Sequence, residues 1–493
     1  MSPKPLKFYR RVGFGLRPDE ASLSNPLEWA QNQMENTPDL IWPGRIYSEA
    51  EMLDIRRDFT ISEAEIDVTI KDPEESRLLR KKLYNQSGRK FFESYELAIR
   101  HHQAIYSDQP VFERFWHFWG NHFAIVDKLK LPIFNTGAMQ REQIRPLMTG
   151  RFADMVYDIT LSWPMIRSLD NFLSRGPKSD FNVRRKRKNK PVKALNENHA
   201  RELLELHTVS PACGYTQDDV INAAYIMTGW GYTNGEKEWE GKKIGFEGSL
   251  HEPGTHKVLT QKYKASGWDK KTKGRKQLRA LVEDLCNHES CRKFIAWKLC
   301  RHFICDDPTS EMVSLVTDAW EKSNGMLPEI HKAVLEASWR FGDNERKFLS
   351  PETWLLQVAR MTGANWPGDP SEFEYDFNSK PTYKQLKPVT VLAELGHLPF
   401  RAKQPNGFPD TEAEWLSQEY LVRRISLINN PSQIGLPKDK TLGLEIAKSV
   451  IEKNIDDPED NLAIINALGK EGSYTTRSYP LIAALCSERI LKV

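Results

Sequence analysis

Apolar side chains recur at three- and four-residue intervals along most of this 493-residue chain. With about 3.6 residues per turn, that spacing lines them along one face of an α-helix. It predicts helices over 75–107, 110–123, 138–149, 197–208, 217–228, 275–286, 290–304, 309–323, 327–340, 350–362, 384–396 and 411–428. Strand-type alternation is sparse. The glycine-bearing stretch 231–262, which includes KIGFEGSLHEPGTHKVLTQK, is the place for a short hairpin or an irregular loop. Prolines and glycines gather in GANWPGDP (363–370) and KQPNGFP (403–409), so long ordered loops are expected in the C-terminal third. The expected fold is mainly α: an irregular multi-helix bundle with long ordered loops and at most a small β hairpin. Its length accommodates a helical core over 1–345 that carries the site and a helical region over 346–493 that packs on it, or both as one continuous body.

Composition narrows the function classes. Seventy basic and 67 acidic residues leave a net charge of +3, so no overall field favours nucleic acid. Two dense basic runs, RRKRKNK (184–190) and KKTKGRK (270–276), read as solvated loops, and the first is placed to hold an anionic substrate. No stretch of about 18 apolar residues is present, so no membrane span is expected. The paired arginines in KFYRRVGFG have no apolar segment behind them, as an export signal would require, so a cytoplasmic or already trimmed protein is expected. Six cysteines do not make a disulfide framework. Those in LVEDLCNHESCRKFIAWKLCRHFIC read as free thiols in a helix–turn–helix core, with Phe294, Ile295, Trp297 and Leu299 turned inward.

The most polar of the predicted helices is LNENHARELLELHT (195–208). Leu203, Leu204 and Leu206 form its apolar stripe, His207 falls beside Leu203, and Asn198, Glu202 and Glu205 share the neighbouring face. Glu197, Arg201 and Glu205 are spaced to pair along the helix. Two carboxylates at a core edge with a histidine nearby suit acid/base work or metal coordination, and solvated ion pairs explain the same pattern. In GYTQDDVINAAYIMTGW (214–230), Thr216 and Asp219 form a capping box for the next helix, with Gly229 at its end.

This helix pair resembles the signature of a large bacterial family known as domain-of-unknown-function family 1800. Further segments resemble it in the same order: RRVGFGLRP, FWGNHFAI (118–125), SLDN with SRGPKS (168–179), LHEPGTHKVL (250–259), CRKFIAWKLCRHFICDDP (291–308) and PNGFPDTEAEWLS (405–417). The resemblance carries no established activity. It points to Asn121 and His122 rather than to His117, which reads as a core histidine among aromatics. It also points to Asp170 and to the pair His251–Glu252, where the family commonly has His-Asp. The segment before Asp170 departs from the family's usual His-Pro-Ala-Met, reading Ser162, Trp163, Pro164, Met165. If they converge, His122, Asp170, Glu197 and His251 supply ligands for a divalent metal, while Glu202, Glu205, His122, His207 and Glu252 supply acid/base groups. The leading expectation is a hydrolase or lyase, metal-assisted or not, acting on a polar polymer such as an anionic glycan or modified peptide. A non-catalytic scaffold for a protein partner and a metal-dependent oxidoreductase are the alternatives.

Overall fold

The computed structural model describes residues 4–86, 89–126, 133–231, 244–267, 272–374, 380–470 and 479–493. It is 64% helical. Its sheet is confined to two antiparallel pairs, Trp230–Gly231 with Gly245–Phe246 and Thr255–Val258 with Gln261–Lys264. The chain is thus mainly α with small β pairs in the stretch expected to carry them, of which 232–243 lies outside the described residues. Among the described residues no helix is long and apolar enough to cross a membrane.

The helices that position the site are α1 (Pro5–Val12), α2 (Arg89–Tyr106), α3 (Pro110–His122), α4 (Asn198–Glu202), α5 (Gln217–Met227), α6 (Arg275–Asn287), α7 (Glu289–Phe303), α8 (Leu327–Phe341) and α9 (Pro351–Thr362). Periodicity located most of them within a residue or two. It overran where bonding changes: 138–149 contains a π-helical turn at Gln140–Ile144, and 197–208 passes from α4 into a π-turn at Leu203–His207. The Thr208 hydroxyl donates to the Leu203 carbonyl at 2.6 Å, satisfying an acceptor at that widened turn. The predicted 411–428 helix is broken at Leu416–Ser417 into Glu412–Trp415 and Gln418–Asn429. Helix Glu49–Thr69 went unpredicted because no single apolar face runs along it, although Ser48 and Glu51 form a complete capping box at its start. The run RRKRKNK is not a simple loop. Its first four residues close helix Asp180–Arg187, which Ser179 caps, and there the cations complement the helix dipole. Lys270 and Lys271 of the second run lie outside the described residues. The six cysteines are free, and all but Cys213 and Cys486 are buried.

Two helices are buried on every side. All of α9 is inaccessible, and every residue of α3 except Asn121 is too. A helix with no solvent face is ordinarily apolar throughout. These carry Glu113, Arg114, His117, His122, Glu352, Gln357 and Arg360, so each polar group needs a partner indoors. Glu113 receives Arg145 at 2.8 Å and Gln103 at 3.1 Å. Gly120 admits the Gln140 side chain, whose Oε1 would stand 2.6 Å from an added Cβ. Apolar side chains fill the space between. The largest cluster draws on residues from Phe8 to Ala337, and a second joins 348–493 to Phe14, Leu97, Ala104 and Ile105.

Arg360 of α9 ties three distant segments together. Its guanidinium donates to the carbonyls of Gly15 (3.0 Å) and Ser107 (3.0 Å) and pairs with Glu20 (2.7 Å). Replacing it with methionine keeps the volume and leaves buried carbonyls unmet. Arg360→Met should therefore lower the unfolding free energy by about 3 kcal/mol, read from the urea midpoint at constant m-value. A midpoint equal to the parent's would mean that these bonds contribute nothing net.

Candidate functional site

Where α3 and α9 meet, side chains from both enclose a cavity of about 30 Å³ together with α7 and the loop 397–410, room for a water or two. Its floor is Glu352. The carboxylate receives Arg100 Nη2 at 3.3 Å and His101 Nε2 at 3.2 Å, and His117 Nδ1 lies 3.6 Å away. The indole of Trp366 donates to His101 Nδ1 at 2.9 Å, which fixes the proton of His101 on Nε2, facing the carboxylate. Burial alone would raise the Glu352 pKa, but the Arg100 guanidinium and the hydrogen bond from His101 hold it well below the ordinary carboxylate range. The Arg100 guanidinium also donates from Nε to His117 Nδ1 at 3.3 Å. His117 thus presents Nε2–H, and burial pulls its pKa down to about 3.

The opposite wall is a histidine–aspartate pair. His302 of α7 donates from Nδ1 to Asp410 Oδ2 at 2.7 Å, leaving Nε2 as the basic lone pair of a neutral ring. Burial lowers the His302 pKa despite Asp410. Asp410 itself, for which burial alone would act upward, is held far below its usual value by His302 and Lys347. Lys347 is buried and reaches Asp306 Oδ1 at 2.7 Å and Asp410 Oδ1 at 3.4 Å. The loop bearing Asp410 is latched by Asn121, whose amide donates to the Phe408 carbonyl at 3.0 Å and accepts from the Phe408 N–H at 2.8 Å. Gly407 stands at φ 80°, and a Cβ there would meet the Asn121 carbonyl oxygen at 2.4 Å. Glycine is required on both counts.

Among the described residues, three buried nitrogens of the side chains on this lining have no hydrogen-bond partner: Arg114 Nε, His117 Nε2 and His302 Nε2. Arg114 donates from Nη1 to the Thr353 hydroxyl at 2.6 Å and contacts no carboxylate among the described residues. Burial lowers its pKa to about 10. The side chains that line the cavity thus carry two donors and one base. Buried polar atoms are rarely left unpartnered, and where they are, a bound group is the ordinary explanation.

Behind Phe118, which has His302 on one side (ring centroids 5.3 Å) and His122 on the other (6.3 Å), lies a second polar island. Lys298 Nζ sits 3.0 Å from His122 Nδ1, and the rings of His122 and His207 are 6.2 Å apart. Burial lowers the Lys298 pKa to about 8 and those of His199 and His207 to about 3. Burial, Lys298 and His207 together lower that of His122. Of the residues expected at a site, His122 and His207 are thus brought together, and His199, which the sequence reading passed over, is buried near His207.

The others stand apart. Glu205 accepts from the Tyr215 hydroxyl at 3.1 Å; burial first, then Glu205 and Glu202, raise that phenol to about 12. Glu197 belongs to a surface network with Arg201 (3.3 Å) and Gln217 (2.6 Å). Asp170 takes a left-handed conformation, φ 56°, ahead of the turn Asn171–Leu173. His251 lies between the Thr228 carbonyl and Gln277 Oε1, each at 2.8 Å, at the far end of α5 from Tyr215 and Glu205. That helix alone spans about 16 Å. Glu252 accepts the Lys178 N–H at 2.7 Å, so a backbone donor of the SRGPKS loop is taken by this carboxylate. Among the described residues no three His, Cys, Asp or Glu side chains are arranged to hold a metal ion.

His302, Asp410 and Glu352 were missed as site residues. The first two lie in CRHF and NGFPD, inside segments quoted for the family resemblance, so the signal was present. His302 was read only as part of a cysteine-bearing core. The family model described as "Protein of unknown function (DUF1800)" matches residues 7–488. No curated protein and no solved structure matches the chain.

Asn121→Ala removes both bonds of the latch, at an expected cost of about 1–3 kcal/mol. Amides of 405–411 should then exchange with deuterium faster while those of α9 keep their protection; unchanged exchange at 405–411 would refute the latch.

Burial keeps several histidines neutral, taking His117, His199, His207 and His331 to about 3 and His397 to about 4. Unfolded, each titrates near 6.5. Between about pH 6.5 and 4 the unfolded chain consequently binds more protons, and stability falls as acid is added, by up to ~1.4 kcal/mol per pH unit per histidine. Glu352 and Asp410, both depressed, add a further loss below about pH 4. Urea midpoints should be flat above about pH 7 and collapse between roughly pH 6 and 4.5; a level profile across that interval would show that these rings are not kept neutral.

Proposed function

We propose that this chain, which belongs to the DUF1800 family, performs acid–base chemistry on an anionic substrate at the cavity between α3 and α9. The reaction we infer is a lyase reaction at a carbon next to a carboxylate. A space of about 30 Å³ holds a water or two and no sugar ring, so an anionic glycan would reach it only if the loop 397–410 moved aside. The observation that carries the reading is the set of three unpartnered nitrogens, two donors and one base, on a single buried lining.

Arg114 Nε–H and His117 Nε2–H would receive the substrate carboxylate. Their hydrogen bonds strengthen as charge builds on its oxygens, so they stabilise the transition state more than the ground state. His302 Nε2 would take the α-proton. The electron pair left behind forms the C=C bond as the β-oxygen departs, and His302 returns the proton to that oxygen. Asp410 orients the ring and stabilises the imidazolium formed in between; Lys347 and Asn121 position Asp410. A second reading uses the same lining for hydrolysis, with His302 deprotonating one of the waters for which the cavity has room.

The test is incubation of the full chain with polyuronates, other anionic glycans and carboxylate esters, following unsaturated ends by ultraviolet absorbance and new reducing ends or free acid in parallel. An elimination product from the parent, falling by about 10²-fold or more in His302→Gln at unchanged melting temperature, supports the lyase reading. Reducing ends or free acid without unsaturation would move the assignment to hydrolysis. Turnover that survives in His302→Gln and Arg114→Gln would remove the cavity from the chemistry. A parent inert on all substrates, with an anion-independent melting temperature, favours the scaffold alternative. A metal-dependent oxidoreductase would need a ligand cluster, which the described residues do not supply.

A further inference from the structure

A second cleft, of about 510 Å³, lies on another part of the molecule, between α1 and the segments 343–346, 455–456 and 488–493. Six cationic side chains line it (Lys4, Lys7, Arg10, Arg346, Arg489 and Lys492) against three acidic ones. What matters is how those cations are satisfied. Lys7 Nζ donates to the carbonyls of Asp343 (2.9 Å) and Glu345 (2.8 Å). Arg10, 4% exposed, donates from Nη1 to the carbonyls of Arg489 and Lys492, and its Nε has no partner. Arg489 donates to the carbonyls of Asp456 (2.8 Å) and Asp457 (3.2 Å). Three positive charges on one cleft are thus met by neutral acceptors. A carbonyl dipole satisfies a donor without cancelling its charge.

No acidic side chain among the described residues forms an ion pair with these three. Asp343 accepts the Lys4 N–H at 2.8 Å and Asp456 the Lys7 N–H at 2.9 Å, and both keep their charge at the cleft. Lys4 pairs with Asp457 at 2.7 Å, Lys492 with Glu412 at 2.9 Å and Glu488 with Arg346 at 3.1 Å. Burial brings Lys7 down to about 8, with Arg11 adding to it, and Arg10 to about 10 against the pull of Asp456. Cations crowded in this way gain most from a ligand bearing several negative charges at once.

We propose that this cleft binds a compact polyanion of the di- or triphosphate class, with Lys7, Arg10 and Arg489 as its principal contacts. It is separate from the cavity assigned above and does not depend on that assignment. The probe is inorganic tripolyphosphate, titrated calorimetrically into the full chain at low and at physiological salt. Saturable one-to-one binding that weakens as salt rises is expected. Arg489→Gln, at an exposed position, should fold as the parent does and lose roughly tenfold in affinity, as should Lys7→Gln. Lys293→Gln, on the exposed face of α7, should bind like the parent. Absence of saturable binding, or equal affinity in the parent, Arg489→Gln and Lys7→Gln, overturns the proposal. Binding lost in Arg114→Gln but kept in Arg489→Gln also overturns it, because the anion would then occupy the other cavity.

Discussion

A buried carboxylate organises this protein. Glu352 projects from a helix that is buried on all sides, and an uncompensated charge there would cost several kcal/mol. Compensation comes from Arg100 and His101 on α2, Arg100 donating also to His117 on α3, while the Glu352 N–H is satisfied by His397 Nδ1 at 3.3 Å. One acid therefore fixes the relative placement of α2, α3, α9 and the loop after residue 397. Substituting any of the four leaves the others with a charge or a donor in the dark, so the segments must dock as a set.

The same constraint explains why the site sits where it does. Buried polar groups that satisfy each other completely form a strut. Those on this lining are satisfied except at Arg114 Nε, His117 Nε2 and His302 Nε2. Removing a hydrogen bond's partner is costly, so a network that leaves three such atoms facing one space is under pressure to accept a polar guest. Compensated charges hold the walls, and the unmet nitrogens define what can enter.

The helices were largely legible because burial of one face writes itself into local spacing. The capping box at Thr216 and Asp219 forms as read, with Asp219 accepting the Thr216 N–H at 2.8 Å. What could not be read was convergence. His302 and Asp410 are 108 residues apart, and neither letter is unusual in its own neighbourhood. Glu202 and Glu205 stood out for the opposite reason, as a dense local cluster; Glu205 bonds Tyr215, only ten residues away. His117 was assigned to the core, which is where it lies, but periodicity carries no information on whether a buried histidine touches Phe14 alone or Glu352 as well. Motif resemblance did cross long distances: FWGNHF and PNGFPD were singled out independently, and Asn121 joins them through Phe408.

The short helix α1 finds its partners at the other end of the sequence. Lys7 bonds Asp456, 449 positions away, and Arg10 bonds the carbonyls of Arg489 and Lys492, 479 and 482 positions away. At the usual pace of synthesis, about 5–20 residues per second, α1 leaves the ribosome roughly half a minute to a minute and a half before those partners exist. Phe8, Tyr9 and Val12 are covered earlier, by Trp339, by Trp29 and by the cluster that ends at Ala337, so it is the cationic side of the helix that waits. The charges of α1 are thus the last of its groups to find acceptors, and residues 489–492 act as the clasp that ends the wait.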